Sequence, residues 1–184
     1  MEIIKGKLDK KLIRKLKAGD EVLYTGTVYT ARDQAHKRLV DAVRERKKMP
    51  FVLKDAIIYY TGPTPSKDKN KIGSCGPTTS SRMDKFTPAL LGAGVGAMIG
   101  KGNRSKEVIG AIKKMKAVYL LAVGGAGAYL SKRVKSAKVI AYKDLGPEAI
   151  HRLEVEKFPL IVGIDSRGNN IYSRKSQVTG EEDI

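Results

Sequence analysis

The sequence predicts an α/β fold with a mostly parallel central sheet and a second, antiparallel sheet region near its C-terminal end. Three observations predict it. Strand-like and helix-like runs alternate through the middle as β-α-β-α-β, the order of a parallel sheet with crossover helices. The last third has strand-like runs in succession with little helix between them, which favours antiparallel pairing. The 184 residues are 41% hydrophobic and 30% charged, enough for one domain with a sizeable core and too apolar for a disordered chain.

The elements follow in order. Residues 8–16 predict a short helix stopped near Gly19. Residues 21–28 alternate around Val22, Tyr24 and Val28 and predict a strand. Residues 31–46 predict a helix with Ala35, Leu39, Ala42 and Val43 on one face, and Thr30 with Asp33 resembles a capping box. The run AIIYY at 56–60 predicts a buried strand, followed by a turn-rich stretch over 62–79 that contains the charged run SKDKNK. A helix is predicted over 81–91, a strand over 95–99, a helix over 105–115 and a strand over 118–123. Gly92, Gly94 and Gly96 read as a helix exit with close backbone packing. A glycine-led helical turn is expected over 125–130, and strands over 137–142, 152–156 and 160–164. DSRGN at 165–169 is a turn signal closing a hairpin onto Ile171 and Tyr172. Residues 1–172 are expected to form one domain and 173–184 a polar tail.

Lys plus Arg outnumber Asp plus Glu by 36 to 19, a net charge of +17. Such a surplus implies an anionic partner: nucleic acid, an acidic membrane surface, an anionic metabolite or an acidic protein. One cysteine, Cys75, excludes an intramolecular disulfide and any zinc or iron–sulfur site built from thiolates of this chain alone. The N-terminal residues carry no apolar run of signal-peptide length, and the uncharged stretches 87–100 and 117–131 are too short and glycine-rich to span a bilayer. A cytoplasmic location is expected.

Nucleotide-binding signatures fail. The spacing around Gly92, Gly94 and Gly96 is not G-x-G-x-x-G, and Lys101 is followed by Gly102 rather than Ser or Thr, so there is no Walker A loop. Three other junctions carry cations. GKGNRS at 100–105 follows a strand and opens a helix, a place where backbone N–H groups and Lys101 favour an anion. GPTTSSRMD at 76–84 offers hydroxyls at 78–81, one of them a candidate helix cap. Arg82 would then sit in the first helical turn, where the helix dipole disfavours a cation, so it needs an anion: Asp84 or a ligand. Arg32 and His36 are four residues apart and share a helical face, pairing a carboxylate-gripping guanidinium with a group that moves protons near neutral pH. His151 has no partner at metal-ligand spacing and reads as structural. Junctions at the C-terminal ends of parallel strands converge on one crevice, and three cations with hydroxyls suit a dicarboxylate or a phosphate.

The motifs RD-x-AHKR at 32–38, YYTGP at 59–63, GPTTSSRMD, GKGNRS, EVE-x-FP at 154–159 and D-x-x-GN at 165–169 occur in that order. Over about residues 8–172 the sequence resembles the β subunit, or C-terminal domain, of class I iron–sulfur fumarate hydratases and L-tartrate dehydratases. The resemblance implies a swivelling β/β/α domain of three layers. It implies a half-enzyme whose separate α subunit holds a 4Fe-4S cluster through three cysteines, the open iron acting as a Lewis acid. A hetero-oligomer such as α2β2 follows, with no nucleic acid or membrane as partner. By motif position Arg32, Arg82 and Lys101 correspond to carboxylate-binding cations, Thr78 lies beside the reacting carbon, and His36 is the candidate acid–base group. Ser81 stands where fumarase-type sequences often have Gly. Asn103 and Arg104 make GKGNRS more fumarase-like than tartrate-like, which favours fumarate and (S)-malate over L-tartrate and oxaloacetate. A nucleic-acid-binding module and an anion-binding domain without chemistry are the readings from other classes. The first is opposed by 6% aromatic residues, no Trp and no recognition motif.

Overall fold

The structure, a computed structural model, describes residues 1–66 and 72–173. Most of the charged run (67–71) and the tail from 174 onward lie outside the described residues. The elements are β1 (Glu2–Lys5), α1 (Lys10–Ile13), β2 (Glu21–Thr30), α2 (Asp33–Arg44), β3 (Ile57–Tyr59), α3 (Thr87–Gly92), β4 (Ala97–Gly100), α4 (Lys106–Met115), β5 (Val118–Leu121), α5 (Gly127–Ser131), β6 (Val134–Ala141) and β7 (Ile150–Ile164). Short 3₁₀ turns precede α3 (Ser80–Met83) and β7 (Lys143–Glu148).

The predicted parallel core is present: β1 to β5 pair in parallel in sequence order. The antiparallel region is not a separate sheet. β7 runs antiparallel to β2, β5 and β6 at once, so the ladders close into the circuit β2–β3–β4–β5–β7–β2. The strands expected at 152–156 and 160–164 are one continuous strand of 15 residues. Through the Lys157–Phe158–Pro159 step the strand is carried by β2 alone, with Phe158 opposite Tyr24 and Pro159 opposite Leu23, because the β6 ladder ends at Val155 and the β5 ladder begins at Ile161.

Side-chain alternation separates two apolar layers. Ile57, Tyr59, Ala97, Ile99, Val118, Leu120, Phe158 and Val162 fill the inside of the circuit. Ile58, Met98 and Tyr119 face outward against Leu39 of α2, Leu90 and Leu91 of α3, and Val108 and Ile112 of α4. Burial on both faces explains why β3 and its flanks read as an unbroken apolar run.

Three local expectations are corrected. The helix over 81–91 is broken, because Pro88 occupies the first turn of a new helix, where its missing N–H costs nothing. Thr30 does not cap α2. It ends β2 and its hydroxyl accepts from the His151 N–H at 2.9 Å, whereas Glu148 caps the helix by accepting from Gln34 N–H at 3.0 Å. Ile171 and Tyr172 form no strand; the hairpin ends in a single bridge between Ile164 and Asn170. The glycine reading holds: Gly94 has φ +112° and a Cβ there would stand 3.2 Å from Lys54 Cα, and one on Gly96 would stand 3.2 Å from Asp55 Cα.

Phe158 is fully buried, its ring edge-on to Tyr59 with centroids 5.6 Å apart. Phe158→Ala is expected to lower unfolding stability by about 3–5 kcal/mol through lost burial and the cavity left behind. Urea unfolding with an unchanged m-value checks it.

Candidate active site

The C-terminal ends of β2 to β5 deliver four junctions to one edge of the sheet. Arg32 follows β2, Thr61 and Gly62 follow β3, Lys101 follows β4, and Gly124 lies in the loop after β5. The segment 75–80 crosses this edge. Cys75 N–H donates to Gly127 O, Thr61 Oγ1 donates to Gly76 O at 2.8 Å, and Thr78 N–H donates to Tyr60 O at 2.6 Å. Thr79 then bridges to Lys101, and Ser80 N–H donates to Lys101 O at 3.0 Å. The crossing is so close that a Cβ on Gly100 would meet Ser80 Oγ at 1.9 Å.

The expected site residues therefore lie along one edge. The Arg32 guanidinium extends over Gly62, where a Cβ would stand 3.1 Å from its Nη1. Lys101 is exposed, and its stem runs beside Gly124. Thr78 is half-buried between the ends of β3 and β4. Arg82 lies in the 3₁₀ turn that continues the crossing segment.

Each arginine has a carboxylate that the sequence did not single out. Arg82 Nε and Nη2 donate to Asp33 Oδ1 and Oδ2 at 3.1 and 2.8 Å. The anion Arg82 requires is thus neither Asp84 nor, here, a ligand. Arg32 Nη2 lies 3.6 Å from Glu148 Oε1, and its Nε is buried with no hydrogen-bond partner. Both acids are remote in sequence from the cation they meet, except that Asp33 adjoins Arg32, so no local pattern marks them.

Asp84 has a different task. It accepts from Arg104 Nε at 2.6 Å and from Ser105 N–H at 2.8 Å. The N-terminus of α4, expected to favour a ligand anion, is occupied by this carboxylate together with the Ser105 cap onto Val108 N–H. No hydroxyl at 78–81 caps a helix: the N-cap of the 3₁₀ turn, Thr79, makes no side-chain cap bond, and Ser80 Oγ accepts from Tyr119 OH at 2.8 Å.

Arg104 is the cation the sequence placed without a role. Its side chain is 0% exposed. Nη2 donates to Thr87 Oγ1 at 2.7 Å, and the guanidinium carbon lies 5.3 and 4.9 Å from the ring centroids of Tyr60 and Tyr119. Burial opposes its charge, but Tyr60 and Asp84 outweigh it and keep the group protonated.

His36, expected as an acid–base group, is fully buried beneath Arg32. Its Nδ1 lies 2.8 Å from Arg32 O, which assigns that nitrogen the proton, and Nε2 has no partner. Burial lowers its pKa from 6.5 to about 4, so the ring is neutral at pH 7. In this conformation it supports Arg32 from below and is out of reach of a ligand outside the fold.

Cys75 is buried, and its thiol is pushed up to about 12 by burial. A cluster needs thiolates, so this sulfur does not fit as a ligand. Among the described residues no group of three or more His, Cys, Asp or Glu could hold a metal ion. No helix among them is long and apolar enough to cross a membrane.

The buried His36 sets a pH dependence. The unfolded chain takes up its proton near pH 6.5 and the folded chain only near 4, so acid favours unfolding. Its stabilising share is complete above about pH 6.5 and declines as pH falls toward 4. The loss is about 2 kcal/mol at pH 5. Denaturant unfolding at pH 7 and pH 5 is expected to show a smaller difference in His36→Gln than in the unsubstituted chain.

Comparison with known proteins gives a consistent result. The family described as Fumarase C-terminus matches residues 2–175. A provisionally named L(+)-tartrate dehydratase subunit beta from Methanocaldococcus jannaschii is 40% identical over 188 aligned residues, covering 99% of this chain and 96% of its own length. Fumarate hydratase 1, mitochondrial, of Leishmania major is 40% identical over 152 residues, and the anaerobic class I fumarate hydratase of Escherichia coli is 40% identical over 153. This chain covers 28% of the length of each of those two. A match spanning nearly the whole chain, on a fold that sets the shared motifs along one sheet edge, makes this chain a member of the Fumarase C-terminus family.

Proposed function

We propose that this chain is the β-type half of an iron–sulfur-dependent hydro-lyase that adds water reversibly to fumarate to give (S)-malate. In this reading residues 1–172 form one domain of the swivelling β/β/α type and work in the cytoplasm beside a cluster-bearing α subunit, in a hetero-oligomer such as α2β2. The 4Fe-4S cluster belongs to that partner.

The observation that carries the proposal is the common edge shared by Arg32, Thr78, Arg82 and Lys101. Fumarate and malate are dianions with a carboxylate at each end. Arginine grips a carboxylate with two parallel hydrogen bonds, and lysine supplies a compact charge. Arg32, Arg82 and Lys101 are assigned to the two carboxylates. Thr78, set between the ends of β3 and β4, is assigned to the reacting carbon. A threonine hydroxyl needs an activating neighbour to take a proton, and that neighbour is assigned to the partner subunit. His36 contributes through Arg32, whose main-chain carbonyl it holds.

A second reading keeps the architecture and changes the substrate to L-tartrate, dehydrated to oxaloacetate. It is favoured by the tartrate dehydratase relative, which this chain covers almost end to end. The two substrates differ by polar groups at the reacting carbons, and discrimination between them depends on whether buried polar partners are left unpaired.

The test is anaerobic assay of the chain with a cluster-loaded α partner on fumarate, malate and L-tartrate in parallel. A higher kcat/KM on fumarate supports the first reading, and a higher value on L-tartrate selects the second. Arg82→Ala is expected to lower kcat/KM by about a hundredfold or more, with the thermal midpoint within a few degrees, since a half-exposed side chain adds little to stability. Full activity in that variant removes Arg82 from the site.

A further inference from the structure

Arg82 has a long, flexible stem and is half exposed. Nothing in the 3₁₀ turn that carries it fixes where its guanidinium points. The fixing contact comes from Asp33, the first residue of α2. The carboxylate takes the Nε–H and one N–H of Nη2. A guanidinium is planar and offers five N–H donors, so this leaves the adjoining edge, one N–H of Nη1 and the second of Nη2, for another carboxylate. Because the group is rigid, holding one edge sets the direction of the other.

Asp33 is itself well placed to act as the fixed member of the pair. Its side chain is 27% exposed against 50% for Arg82. It opens a helix, where a negative charge is favoured. It follows Arg32 directly, and the Arg32 carbonyl is held both by His36 N–H and by His36 Nδ1, each at 2.8 Å. One rigid helix start therefore carries Arg32 and aims Arg82.

Resting on the fumarate reading above, we infer that Asp33 is a positioning residue for dicarboxylate binding: its two-pronged hold turns the free edge of Arg82 toward the edge that Arg32 and Lys101 share. The opposite role, a carboxylate that blocks Arg82 until substrate displaces it, fits the geometry less well. The gripped edge is the Nε side, and a ligand can take the other without breaking the pair. The two roles differ in sign. Loss of an aiming group weakens dicarboxylate binding, and loss of a blocking group strengthens it.

The experiment uses the full chain with its cluster-loaded partner and compares the unsubstituted protein with Asp33→Asn and Asp33→Glu. Asp33→Asn keeps the shape and removes the charge and one acceptor. The expected result is a rise of about tenfold in KM for fumarate, with kcat changed much less, and partial recovery in Asp33→Glu. A purely structural role would move the thermal midpoint and leave KM alone. An unchanged or lowered KM in Asp33→Asn overturns the inference. Calorimetric titration with succinate, an unreactive dicarboxylate, separates it from the functional reading. If the unsubstituted complex binds succinate without hydrating fumarate, the functional reading fails, and an affinity loss of about tenfold in Asp33→Asn still supports the role of Asp33. Equal succinate affinity in the two proteins, or none in either, overturns it.

Discussion

The arrangement of the sheet edge depends on one buried cation. Arg104 has no exposed side-chain surface and reaches Asp84, Thr87 and the rings of Tyr60 and Tyr119. Withdrawing a guanidinium from water costs several kcal/mol, offset only where its donors meet acceptors in good geometry. That requirement ties four separate stretches together: the exit of β3, the turn before α3, the start of α3, and β5. Tyr119 extends the constraint, its hydroxyl hydrogen-bonded to both Ser80 Oγ and Gly102 O. The crossing segment is thereby pinned at Ser80 and Asp84, on either side of Arg82. Thr78 and Lys101 face the same edge because the chain between them has little freedom to lie elsewhere.

The closing strand does for the interior what Arg104 does for the edge. β7 borders β2 on one side and β5 and β6 on the other, so no long edge of the parallel core is left unpaired between β5 and β2. One small residue makes that closure fit: Gly163 lies against Leu121, where a Cβ would come within 2.9 Å of Cγ. The inside of the circuit is filled largely by apolar side chains, and the candidate site lies at the strand ends. This is the usual disposition of ligand sites in parallel sheets.

The alternation of strand and helix was legible because parallel strands buried on both faces must be apolar throughout, as AIIYY is. Arg32, Thr78, Arg82 and Lys101 were legible as a set because each lies in a motif at a strand or loop exit. The single long β7 was not, since Pro159 reads locally as a break and only the ladder to β2, which runs from Arg152 to Ile161, overrides it. The cap of α2 was misread for a related reason. Thr30 and Asp33 have the spacing of a local cap, whereas Glu148 arrives from more than a hundred residues away. The partners of Arg32 and Arg82 were hidden likewise, and Arg104 looked like one more loop cation because no pattern in GKGNRS distinguishes a buried guanidinium from an exposed one.

The net charge of +17 is a poor guide to the site itself. Arg82 is matched by Asp33 and Arg32 faces Glu148, so two of the three site cations carry a counter-charge within the chain. Much of the surplus lies elsewhere, on exposed residues such as Lys11, Arg14, Lys113, Lys114 and Lys116, and Lys10 spends its ammonium on the carbonyls of Met115 and Lys116. The two distributions act over different ranges. Surface charge draws any anion over about a Debye length and fades with salt. Paired guanidinium forks act only at contact and depend on direction. Selection of a dicarboxylate therefore rests on how Arg32 and Arg82 are held, and the protein invests acidic residues at that edge even though each one lowers the local positive charge.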